Sequence, residues 1–157
     1  VKSGYDKWLS KEPNNSPAPE NVAEIINSSG GWNDADSGNT QSSYVEYEGL
    51  ITTLGKFVFL GQYNGHSYFR NPSDLTWDQA KIAAENAGGY LSSHQTADEN
   101  SAVASFSELD GGSFRGWIGL YQDQNDTNYF EPDRGWKWVT PSGDVKATSG
   151  DAAAADT

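Results

Sequence analysis

Apolar positions recur along this chain at two spacings, two residues in some segments and three to four in others. Residues 22–26 (VAEII), 44–47 (YVEY) and 57–63 (KFVFLGQY without its first residue) read as short strands. Asn64-Gly65 is a two-residue hairpin signal, and residues 66–70 return as the partner of 57–63. The spacing then lengthens. Thr76 with Gln79 spells a capping box, and Trp77, Ala80, Ala84 and Ala87 fall on one helical face before Gly88-Gly89 stops the run. Thr96 with Glu99 opens a second helix carrying Val103 and Phe106, which Asp110-Gly111-Gly112 ends. Strand signals resume at 117–120 (WIGL) and 135–139 (GWKWV), separated by the polar loop 121–134. Residues 12–21 hold three prolines without periodicity and predict a stiffened loop. The alanine-rich run 147–157 predicts a frayed end.

Composition makes this one domain with an aromatic core. The chain has 157 residues, six Trp, eight Tyr, six Phe and 17 Gly, where a disordered chain would have few aromatics. Trp77, Trp117, Trp136 and Trp138 are expected in the core, and Trp32 beneath the loop described next. The net charge of −12 argues against nucleic acid and against an anionic membrane surface. No apolar run approaches the ~20 residues that span a bilayer, so no membrane insertion is expected. With no cysteine there is no disulfide, thiolate metal site or thiol nucleophile. A chain that starts at Val1 and has no Met is expected to be a module of a larger parent protein.

The polar residues of 12–34 change the picture most. Glu12-Pro13-Asn14, Glu20 and Trp32-Asn33-Asp34 supply carboxylate and amide oxygens with no His or Cys among them, the donor set of a hard cation such as calcium. The plainer alternative is that both motifs are turns whose side chains cap backbone groups. Glu12 with Glu20 also forms a carboxylate pair of glycosidase type. However, carboxylates engaged by a metal make poor general acids, and no other catalytic motif is present, so no enzyme is expected. His66 and His94 are expected at the surface or with satisfied hydrogen bonds.

The segments TWDQAKIAAENAGGYL (76–91), TADEN (96–100), WIGL (117–120), EPN (12–14), WND (32–34) and YVEY (44–47) together resemble the C-type lectin domains over most of the chain. The resemblance implies an α+β, C-type lectin-like fold with two helices, small antiparallel sheets and long loops. The order is that of a circular permutation: residues 5–48 correspond to the family's C-terminal half with the site, 49–55 to a joining linker, 56–144 to its N-terminal half, and 145–157 to a tail. Two family disulfides are missing, at positions resembling Ala84, Val45, Val22 and Ser37. A bridge is worth about 2–4 kcal/mol, and an ion at 100 times its dissociation constant contributes about 2.7 kcal/mol, so one ion could offset one bridge.

By the same resemblance Glu12, Asn14, Glu20, Asn33 and Asp34 hold Ca2+, the Glu12–Pro13 bond is cis, and Glu12, Asn14, Glu20 and Asn33 also contact sugar hydroxyls. Glu12 ahead of Asn14 is the arrangement associated with mannose, fucose and glucose-type sugars. Asp123, Asp126 and Glu131 are candidates for a second calcium, with a solvated acidic loop as the alternative. Lacking cysteine, the chain is similar to lectin-like modules of large bacterial surface adhesins. That implies glycans on a cell surface or a polysaccharide as partners and an extracellular setting. A peptide or protein ligand, with calcium structural, is the alternative function.

Overall fold

Period-two segments pair as their pattern requires, and several extend well beyond it. The structure, a computed structural model, describes residues 5–17, 19–26, 29–109 and 115–147. In chain order its elements are β1 (Val22–Ile26), β2 (Gly31–Ala35), β3 (Gln41–Glu48), β4 (Val58–Tyr63), β5 (His66–Leu75), α1 (Trp77–Asn86), β6 (Tyr90–Leu91), α2 (Ala97–Leu109), β7 (Arg115–Gln122), β8 (Trp136–Trp138) and β9 (Val145–Lys146).

The strands form one nine-stranded sheet with central order β2-β1-β7-β3-β5-β4. Strand β6 adds to β3, while β8 and β9 add beyond β7. Most pairs are antiparallel, but β3 and β7 run parallel at Ser43 and Trp117. The expected α+β composition with small antiparallel sheets is therefore corrected: among the described residues one mixed sheet of nine strands dominates two helices. The reason is strand growth through polar sequence. Strand β3 reaches back to Gln41, and β5 continues to Leu75 through Asn71-Pro72-Ser73-Asp74. The β3–β5 register shifts there, between the pairs Gln41–Leu75 and Ser43–Asn71, so proline sits at an irregularity where no ladder hydrogen bond is required of it. The WND motif is itself strand, within β2.

Local signals place the rest. Asn64 and Gly65 take φ of 51° and 82°, the left-handed pair of a tight hairpin turn. The Thr76–Gln79 capping box is complete. Gly88 at φ 98° ends α1, with Gly88 N–H donating to Glu85 and Gly89 N–H to Ala84 (2.9 Å), the reciprocal pair of a Schellman motif. At the second helix Glu99 N–H donates to Thr96 Oγ1 (3.1 Å), but the Glu99 carboxylate reaches Gln95 N–H instead of Thr96. Asp110-Gly111-Gly112 lies outside the described residues, as do residues 148–157. Residues 145–147 are not tail: β9 pairs with β8, and Ala147 is buried.

Three apolar clusters fill the interior. The largest gathers Trp32, Trp136, Trp138, Tyr44 and Ile118. A second packs Trp77 and Ala80 of α1 on Trp117 and Leu91. The third holds Val45, Phe69, Ala84 and Leu54. All five expected tryptophans are buried. Four of their indole N–H groups donate within the protein, to Asn100 (Trp32), Ile118 (Trp77), Leu75 (Trp117) and Pro132 (Trp136). Val45 and Ala84, two of the positions resembling the family's cysteines, share the third cluster. Val22 faces Ala35 across β1–β2, two residues short of Ser37. The joint 49–55 is partly structural, since Leu54 is buried, Ile51 N–H donates to Ser67 Oγ, and Ser67 donates to Gly49 O.

Candidate functional site

Strand β2 anchors the acidic loop from beneath. Trp32 N–H donates to Lys7 O (2.8 Å) and Leu9 N–H to Trp32 O (2.9 Å), so the segment before the loop runs beside the strand. Glycine at position 31 makes room for this, since a Cβ there would meet the Leu9 side-chain tip at 2.2 Å. Glu12 N–H then donates to Leu9 O (2.9 Å). Lys11 (φ 70°) and Asn15 (φ 53°) bracket the EPN motif in left-handed conformations that non-glycine residues rarely hold. The Glu12–Pro13 bond is cis, as are Ser16–Pro17 and Glu131–Pro132.

Asp34 organises the loop. It is buried, and its carboxylate accepts Asn14 N–H (3.1 Å to each oxygen) and Asn15 N–H (2.8 Å). Asn14 Nδ2 donates to Glu12 Oε1. Ser16 N–H donates to Asn14 Oδ1 (2.9 Å) and to Glu20 Oε2 (3.1 Å), and Glu20 N–H donates to Asn15 Oδ1 (2.8 Å). Capping and convergence are thus both present. Four of the five expected ligands, Glu12, Asn14, Glu20 and Asp34, come together.

Asn33 is turned elsewhere. Strand alternation puts it on the opposite face from Trp32 and Asp34, and its Nδ2 donates to Glu24 Oε1 (3.1 Å). Glu24 itself is buried and was not singled out in the sequence. The register that places it opposite Asn33 follows once 22–26 and 31–35 are read as a hairpin.

The carboxylates repel one another. Burial pushes the Glu12 carboxyl up to about 7, aided by the charge of Asp34, a hydrogen bond shared with Asp34, and the charge of Glu20. Burial also raises Glu20, with Asp34, Glu24 and Asp36 adding to the rise and the Ser16 N–H opposing it. Among the described residues no three Asp, Glu or His side chains stand at the mutual spacing of metal ligands. The donors of the loop are all oxygen, the type a hard cation takes, and the charge of Asp34 reaches both Glu12 and Glu20.

The second acidic loop has its own cation. Asp123 and Asp126 converge on Lys137 Nζ at 2.6 and 3.2 Å, and Glu131 accepts the Tyr129 hydroxyl. The Lys137 hydrogen bond holds the Asp123 carboxyl below its ordinary range. Asp123 and Asp126 thus share Lys137, whereas Glu131 is engaged by Tyr129 instead.

The histidines are satisfied. His94 is fully buried between Ser92 Oγ (2.8 Å) and Asn100 Oδ1 (2.7 Å), and burial pushes it down to about 4. His66 Nδ1 lies 2.5 Å from Glu46 Oε2, which also accepts the Tyr90 hydroxyl (2.6 Å). These groups face a cavity of about 310 Å³ whose lining includes Glu46, Glu48, His66 and Glu99. The sequence hid it, because Glu46 reads as the solvent-facing member of YVEY whereas β3 is covered on both faces.

Comparison of the chain with family models, with curated proteins and with solved structures finds no match.

Proposed function

We propose that the chain binds carbohydrate through a calcium ion held by the 12–34 loop, the function its resemblance to the C-type lectin domains implies. The observation that carries this reading is the convergence of Glu12, Glu20 and Asp34, whose charges add to the burial that pushes the Glu12 carboxyl up to about 7. A loop needing only caps would avoid that repulsion, whereas a divalent cation removes it. Glu12, Asn14, Glu20 and Asp34 would hold the ion. Bound calcium supplies a Lewis-acidic centre that accepts two vicinal sugar hydroxyls. The chain's own groups do the rest: the carboxylates accept hydroxyl hydrogens, and the Asn14 amide donates N–H. The Glu12–Asn14 order favours mannose, fucose and glucose-type sugars, in an extracellular module of a larger protein.

Calcium titration by calorimetry, followed by a glycan array with calcium and again with chelator, tests the reading. Chelator-sensitive sugar binding supports it. A folded protein that takes up neither calcium nor sugar would sink it. In Glu12→Gln with Asn14→Asp the preference should move towards galactose, and an unchanged sugar profile would remove these two from specificity.

A second reading, recognition of a basic peptide side chain, has one observation in its favour. The cavity beside His66 is lined by Glu46, Glu48 and Glu99, which suits an ammonium or guanidinium group. Chelator-insensitive binding of an arginine-rich peptide, lost in Glu48→Lys, would favour it over the calcium reading.

A further inference from the structure

Three carboxylates line the cavity beside His66, and two of them lack a counter-charge. Glu46 is buried and engaged: Oε1 accepts Ser93 N–H (3.0 Å), and Oε2 accepts the Tyr90 hydroxyl and lies against His66 Nδ1. Among the described residues Glu99 accepts only Gln95 N–H, on Oε1 (3.0 Å), and the exposed Glu48 side chain has no partner. Lys137 serves Asp123 and Asp126, Lys81 serves Glu85 and Arg115 approaches Glu24, but no lysine or arginine lines this cavity. Burial pushes the Glu99 carboxyl up to about 7, opposed by the Gln95 N–H and His66 and aided by the charge of Glu46. The Tyr68 hydroxyl, opposite Glu46 on β5, is buried without a partner within reach of the Glu46 and Glu99 charges. Acceptor capacity is thus unused where negative charge is unbalanced, an environment that suits a cationic N–H donor.

The cavity does not end at the carboxylates. Glu48, Tyr90 and Pro141 also line a neighbouring cavity of about 190 Å³, completed by Tyr47, Gly88 and Gly89. The two are therefore parts of one groove. One end is acidic, and the other is walled by two tyrosines, a proline and bare glycine backbone. A free amine would use only the acidic end. An extended peptide lays neighbouring side chains along such a groove, and tyrosine and proline faces suit an apolar one.

We propose that this groove docks an extended segment of a partner protein in which a basic residue stands beside an apolar one. The cation enters among Glu46, Glu48 and Glu99, and the apolar side chain rests on Tyr47 and Pro141. The inference takes up the basic-side-chain reading above and adds a second subsite to it. It shares no residue with the 12–34 loop and calls for no calcium. Glu99 gains its charge as pH rises through about 7, so docking should be tighter at pH 8 than at pH 5.5. Glu46, Glu48 and His66 face the same cavity, and any proton they take up acts in the same direction; Tyr68 and Tyr90, both raised by burial, stay neutral.

Calorimetry on the whole chain in chelator tests this, using blocked peptides that hold arginine next to leucine. Citrulline, the neutral isostere, in place of arginine should weaken binding about 10-fold or more. Glycine in place of leucine should weaken it about 5-fold or more. Glu99→Gln should bind more weakly than the parent at pH 8 and match it at pH 5.5, a convergence that loss of folding would not produce. If the arginine peptide binds no better than the citrulline one, the basic-side-chain reading falls and this inference with it. If the leucine and glycine peptides bind alike, the two-part groove is overturned while the basic-side-chain reading stands. A Glu99→Gln variant that matches the parent at pH 8 overturns the placement of the cation.

A measurement on the unmodified protein guards against a variant that does not fold. The peptide should shift the backbone amide resonances of Glu48, Tyr90 and Gln95. Shifts confined to other parts of the chain overturn the proposal.

Discussion

Asn100 sits at the crossing of α2 and the site strand, and replacing it should cost more than any surface change. Its Oδ1 accepts Trp32 Nε1–H (2.9 Å) and His94 Nδ1–H (2.7 Å), and its Nδ2 donates to Gly30 O (2.9 Å). All of this is buried. Asn100→Leu, close in shape, leaves two donors and one acceptor without partners. At about 1–3 kcal/mol each, less about 1 kcal/mol regained by burying an apolar side chain in place of an amide, the loss should be about 2–8 kcal/mol. That is a large part of the 5–15 kcal/mol typical of a domain. Asn100→Asp keeps both acceptor contacts but loses the donation to Gly30 and buries a carboxylate, so it should cost at least about 1–3 kcal/mol. Urea unfolding followed by tryptophan emission measures both, provided the slope m is unchanged. Since Trp32 and Asp34 share β2, calcium affinity should fall alongside stability in Asn100→Leu. A Leu variant within about 1 kcal/mol of the parent would refute the reasoning.

Three further outcomes are expected. Burial pushes the Glu99 carboxyl up to about 7, from 4.5 in the unfolded chain, so its contribution to stability is full below pH 4.5 and lost as pH rises through 7. Glu99→Gln should therefore stabilise the protein at pH 8 and lose that advantage towards pH 5; a pH-independent difference in urea midpoint would contradict this. Gly119→Ala should destabilise by about 1–3 kcal/mol, because a Cβ there meets Leu91 O at 2.6 Å and Val139 at 2.5 Å; an unchanged melting temperature would show that the strands yield. Calcium at 100 times its dissociation constant should raise the melting temperature by about 5–10 °C, with chelator reversing it, and a scan indifferent to calcium would remove the ion's stabilising role.

What could be read ahead of the structure was local. Asn64-Gly65 needs only its own backbone preferences to turn, Thr76 and Gln79 lie within one helical turn, and indoles are buried wherever a core forms. The misses were decided by partners far along the chain. Residues 71–75 and 41–43 look like loop, being polar and carrying a proline, and become strand because each supplies the other's ladder. Glu46 alternates as if exposed and is buried because Tyr90 and Ser93 arrive to bond it. At the site, residue types singled out Glu12, Asn14, Glu20 and Asp34, which the loop's hydrogen bonds link. The turning of Asn33 towards Glu24 depends on strand register, and Lys137 reaches Asp123 from fourteen residues away.

The pairing of β1 with β7 has a consequence for how the chain is made. Val22–Ile26 is laid against residues synthesised roughly 90 positions later. At about 5–20 residues per second, the acidic segment would spend several seconds outside the ribosome before its central strand neighbour exists. During that wait its charges keep it solvated and its prolines keep it out of stray sheets. The residues that crowd together in the finished loop would then also guard the nascent chain.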